Sequence, residues 1–234
     1  MRKFDANTGL QTARRSVLFT KAALEASDRH ERLVVAIALQ LEGWTPVAEA
    51  RRAADDAVTY AHARVSWGDY LLDRAVKGLA NELLRDAGGN YDDKLFREFF
   101  PEPPSEVIRM GLESELNRCE RFQLLATKRP LNERVSTALS AVTAAMETGR
   151  AALAARRAAF MQQAETSLDA VSWKEATEAV RQSVHLQLQA WALENGEERS
   201  YAERFFFDPR PGKGKSATAT ATKGPKTVSD GGDD

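Results

Sequence analysis

Helical periodicity runs from Gln11 to Phe207 almost without interruption, and hardly any segment alternates in the manner of a strand. That pattern confines the chain to helix-on-helix packing. It predicts an all-α fold, an antiparallel bundle of about six long helices, followed by a disordered C-terminal tail. Residues 1–207 read as one helical domain, whose sub-boundary, if it has one, falls near 88–104, and residues 208–234 read as the tail.

The punctuation marks divide the helical pattern. The first stretch spans Gln11 to Leu41, with Val17, Leu18, Leu24, Val34, Ile37 and Leu41 on its apolar side. Ser27-Asp28 permits a second start inside it, so one kinked helix and two shorter ones both fit. Gly43-Trp44-Thr45-Pro46 reads as a boundary: glycine suits a helix end, threonine a cap, and proline the first helical position. Beyond it Val47, Ala50, Ala54, Ala57, Ala61 and Val65 form a narrow stripe of small residues, suited to close helix approach. Ser66-Trp67-Gly68-Asp69 has the capping-box spacing and permits a fresh start or a mild interruption, and Ser172-Trp173-Lys174-Glu175 is the best such box in the chain.

Gly88-Gly89-Asn90 predicts a decisive stop. Asp92 then caps a short helix over 93–99, and Pro101, Pro103 and Pro104 forbid regular structure. Ser105 caps a helix striped by Ile108, Leu112, Leu116, Cys119 and Phe122. After the corner at Lys128-Arg129-Pro130, Leu139, Met146, Leu153 and Phe160 repeat every seven residues and predict a buried seam on a long helix. Asn195-Gly196 ends or kinks the last helix. After Asp208 the chain holds mostly Pro, Gly, Lys, Ser, Thr and Ala, too little apolar area to offset the entropy of ordering.

Charge and cysteine content narrow the partners. Thirty-three basic and 34 acidic residues leave a net charge of −1, which argues against a nucleic-acid partner, since such binding rests on phosphate neutralisation. The single cysteine, Cys119, excludes an intramolecular disulfide and reads as a small buried hydrophobe. No apolar run follows the charged N-terminus. The longest apolar run, Leu33 to Leu41, rises only about 13 Å as helix, against a bilayer core of about 30 Å. A cytoplasmic protein with no membrane insertion is expected. Arginine outnumbers lysine 23 to 10 and isoleucine occurs only at 37 and 108, a bias suggesting a GC-rich bacterial genome.

Recognisable chemistry is missing. A di-iron bundle needs Glu-x-x-His, but the residues three before His30, His62 and His185 are Ser27, Thr59 and Gln182. No zinc spacing occurs, so no metal and no cofactor are expected. Gly214-Lys215-Ser216 resembles the end of a phosphate loop, but Pro209 stands where its first glycine belongs. Pro46 to Tyr60 makes a poor helix-turn-helix, because Asp55 and Asp56 would face the phosphates. No catalytic residues emerge.

Two aromatic segments stand out. Phe96, Phe99 and Phe100 sit in a connection where polar residues are usual, and either plug the helical core or form a docking surface or pocket lid. Tyr201, Phe205, Phe206 and Phe207 crowd a short segment whose rings cannot all face one way. These seven residues are the candidate interaction site. The surplus ring area predicts that the C-terminal segment docks on a surface lined by Phe96, Phe99 or Phe100, in its own chain or in a neighbour. The reading that follows is a non-enzymatic structural or protein-interaction component of a bacterial assembly, partnered by another protein or by itself. The alternative is a helical module with a small-molecule pocket gated by Phe96–Phe100, and an enzyme of unrecognised type comes behind both.

Overall fold

Small residues at seven-residue intervals decide this architecture. The computed structural model describes residues 1, 3–4 and 8–207; the tail expected over 208–234 lies outside the described residues. Among the described residues the chain is helical, with no strand. Its elements are α1 (Leu10–Ser27), α2 (Glu31–Asp86), α3 (Lys94–Phe99), α4 (Pro104–Ile108), α5 (Leu112–Ala126), α6 (Glu133–Glu194) and a 3-10 helix, Tyr201–Phe205.

Two elements dominate. α2 has 56 residues and α6 has 62, so they are about 84 and 93 Å long. They run antiparallel for most of that length. Trp173 Nε1 donates to the Gln40 carbonyl at 2.9 Å, Gln163 donates to Asp55 at 2.8 Å, and Asn132 donates to Asp86 at 2.6 Å. Between them runs a seam of Ala54, Ala61 and Gly68 on α2 against Ala145, Ala152, Ala159 and Thr166 on α6, all buried. A repeat of seven keeps such positions in contact along two helices that wind slightly round each other. The helices come close enough that a Cβ on Gly68 would lie 3.3 Å from the Gly149 Cα.

Larger side chains gather at the two ends. At one end α1, the start of α2, the end of α6 and the 3-10 segment enclose Val17, Leu24, Ile37, Val184, Leu188 and Phe205. At the other, the second half of α2, α3, α4, α5 and the first half of α6 enclose Leu79, Leu83, Phe99, Phe122, Val142 and Met146. The middle of α2 and α6 forms a two-helix shaft between these cores.

The expected six long helices are corrected to two very long ones, two of 18 and 15 residues, and two of 6 and 5. Three expected breaks are absent. Pro46 lies inside α2. The helix continues through it, with α6 packed alongside: Trp173 holds the Gln40 carbonyl, and its ring lies 3.7 Å from where a Gly43 Cβ would be. Gly68 does not interrupt α2, since its bare backbone is what lets α6 approach. The Ser172 box lies within α6, where Trp173 is a core residue.

Elsewhere the punctuation acts. Asp28, at φ 51°, separates α1 from α2, which resolves the first stretch into two helices. Gly88 and Gly89, at φ 62° and 87°, end α2 in a conformation that favours glycine. Asp93, one residue later than expected, caps α3 through the Leu95 and Phe96 amides at 2.8 and 3.1 Å. The helix expected from Ser105 is two pieces, broken before Leu112. By length and composition α2 also contains an 18-residue window that could cross a bilayer, with mean hydropathy 1.2. Leu33 and Ile37 within α2 are core residues at the first end.

Candidate functional site

The seven aromatic residues are divided between the two ends. Phe96, Phe99 and Phe100 are buried in the core with α5, where the Phe100 and Phe122 ring centroids are 5.0 Å apart. They fill that core and form no lid. Phe205 and Phe206 are buried at the opposite end, Tyr201 is half-buried beside them, and Phe207 is exposed near Phe19 at 5.6 Å. The expected docking of one aromatic segment on the other within the chain is therefore overturned. The 3-10 turn aims Phe205 and Phe206 into the nearer core, which is closed by α1 and α6.

Two buried ionisable groups escaped the sequence reading. Glu115 on α5 is 0% exposed and faces Asp69 and Asp73, one turn apart on α2. As carboxylates, neither Glu115 oxygen has a hydrogen-bond partner. Burial first, then the Asp73 and Asp69 charges, push Glu115 up to about 8, with Lys77 opposing. Burial and Asp73 also raise Asp69. Glu115 is thus a protonated acid at neutral pH, sealed from any substrate. Cys119, one turn on, is pushed up to about 12 by burial and by Glu115, and is an inert thiol as expected. Glu115 hid in plain view beside Leu116 in the Leu112–Cys119 stripe: a carboxylate on the apolar side of a short helix was the available signal.

Arg181 on α6 is the second group. It is fully buried, bonds Glu178 at 2.7 Å, and lies over the Phe4 and Phe206 rings at 4.3 and 5.5 Å. Burial lowers its pKa and Glu178 opposes this. Nearby, Glu203 accepts from the Met1 amine and lies 2.8 Å from His185. These contacts fasten the chain's first residues and the 3-10 segment to α6. His30 Nε2 is 2.9 Å from the Tyr201 hydroxyl, edge-on to Trp191, and burial holds it below the usual histidine range. The three histidines sit in different environments, and no group of three or more His, Cys, Asp or Glu among the described residues could hold a metal.

The shaft carries what the interior lacks. Its seam is alanine and glycine, yet Tyr60, Trp67 and Tyr70 of α2 are 70, 59 and 51% exposed. Trp67 and Tyr70 lie against each other, centroids 5.2 Å apart. Phe160 was expected in the buried seam with Met146 and Leu153, and is instead 44% exposed. All three follow seam positions by one residue, on the side that α5 covers. Met146 and Leu153 lie under that cover, whereas Phe160 lies past the end of α5, with the His62 ring edge-on at 5.6 Å.

No protein-family model, curated protein or solved structure matches this chain.

Proposed function

We propose that this protein is a non-enzymatic structural or interaction component of a bacterial cytoplasmic assembly, a long helical spacer that presents a side surface to a partner. The observation that carries this reading is the exposure of Tyr60, Trp67 and Tyr70 on the shaft. Rings left this exposed add little to the fold, and large aromatics are what interfaces use as anchors. The buried polar groups support the same reading, because Glu115 and Arg181 are enclosed by the chain's own helices. A pocket gated by Phe96–Phe100 has less support, since those rings are core.

Photo-crosslinking tests the proposal. A photo-reactive phenylalanine analogue in place of Trp67 should trap one discrete protein adduct in the cells that make the protein. The same analogue at Tyr91, equally exposed but away from the shaft, should trap none. Absence of any adduct from position 67 would refute an interaction role for the shaft.

A further inference from the structure

The shaft has two unlike sides. On both helices, positions one and four residues after the seam face α5 and α1. Gly149, four after Ala145, lies under Leu112 and Leu116. Asp69, one after Gly68, faces Glu115, and Lys174, one after Trp173, donates to the Thr8 carbonyl at 3.3 Å. Between the cores the same side is closed by Gln163 on Asp55 and by Arg51, which bonds Ser167. Positions one before and three after the seam face the other way. These are Ala53, Ala57, Tyr60 and Trp67 on α2, and Ala151 and Ala158 on α6, of which all but the half-buried Ala57 are exposed. No other element of the described chain lies over them.

We propose that this bare face is where a second copy of the chain packs, shafts antiparallel, about a two-fold axis near Ala57–Tyr60. This deepens, and rests on, the interaction reading above. Three observations support a second copy. The first is charge. Within the shaft this face carries a cation on α2, Arg64, and two anions on α6, Glu165 and Asp169, all exposed and none of them in an ion pair among the described residues. Gln163 is level with Asp55, so Glu165 and Arg64 lie eleven residues apart along the shaft, about 16 Å. Reversing one shaft on the other about the midpoint of that interval brings Arg64 of each copy beside Glu165 of its partner. A parallel overlay leaves the charges apart.

The second is shape. The same overlay brings the two Tyr60 rings together near the axis and sets each Trp67 over the small residues near Ala50 and Ala53 of the other copy. The third is area. From Val47 to Leu71 the shaft is about 36 Å long and two helices, about 20 Å, wide. That footprint of about 700 Å² per copy approaches the roughly 800 Å² per partner of a stable interface.

Light scattering on the full chain tests the proposal. The expected mass is twice 25.8 kDa. Arg64→Glu should weaken association at least tenfold, and adding Glu165→Arg to it should restore the dimer. All these positions are exposed, so an unchanged helical circular dichroism spectrum certifies the fold. Ala57→Cys should give a disulfide-linked dimer under mild oxidation, since the two copies of residue 57 fall within about a turn of each other. Trp67→Cys should not, its copies being roughly 25 Å apart. A monomer at every concentration, a dimer indifferent to Arg64→Glu, or crosslinking at 67 but not 57 would overturn the inference. If the chain is monomeric yet position 67 traps a different protein in cells, self-association fails and the interaction reading survives. If neither is seen, both fail.

Discussion

Holding a proton at neutral pH gives Glu115 a measurable signature. Its folded pKa, about 8, lies above the ordinary 4.5. Between those values the folded chain keeps a proton that the unfolded chain has lost, so stability falls as pH rises from about 4.5 to 8 and then levels off. The full shift corresponds to a few kcal/mol at most. Asp69, also raised, acts in the same sense. His30, held low by burial, acts in the opposite sense: its contribution is lost as pH falls below the ordinary histidine value. Glu115→Gln isolates the first effect, because the amide cannot ionise. Thermal melts at pH 5 and pH 9 should show the variant gaining on the parent by a few kcal/mol at the higher pH. Equal differences at both pH values would mean that Glu115 is solvated in the native state.

At the scale of helices, the shaft tests whether its glycines serve contact or merely tolerate it. Gly68 faces the Gly149 backbone, and a larger side chain there must push α2 away from α6. Gly68→Leu should therefore destabilise by about 1–3 kcal/mol despite leucine's better helix propensity. Gly78, ten residues on, has nothing within 4 Å of its would-be Cβ. Gly78→Ala should stabilise by about 1 kcal/mol through propensity alone. Denaturant titration of the pair checks both signs. The same contrast explains what was legible in the sequence. The all-helical class, the stops at Gly88-Gly89 and Asn195-Gly196, and, of the small-residue stripe, Ala54 and Ala61 could be read from local chemistry; Ala50 is exposed and Ala57 turns to the bare face. Pro46, Ser66-Gly68 and Ser172-Trp173 could not, because each carries a correct local signal overruled by a contact more than eighty residues away. The candidate site fared worse. Phe96, Phe99, Phe100, Phe205 and Phe206 looked surplus only because the sequence hides which helices enclose them. Tyr60 and Trp67 looked unremarkable because nothing local says that no third helix among the described residues covers that face of the shaft.

At the scale of the whole molecule, α6 sets the length. A rod of about 93 Å has a radius of gyration near 27 Å, against about 17 Å for a compact domain of this size, so small-angle scattering should separate the two. Length also limits how the ends communicate. The cores around Ile37 and around Phe122 share no side chain; between them lie Ala54, Ala61 and Ala159. Each such methyl contributes under about 1 kcal/mol of apolar burial, so opening one end withdraws little from the other. Ile37→Ala, at a fully buried site, should cost its own core about 2–5 kcal/mol. Native-state hydrogen exchange should then show lowered opening free energies over 10–41 and 173–206, with 72–84 and 112–153 unchanged. Equal loss at both ends would mean that the shaft, alone or paired with a second copy, transmits stability along its whole length.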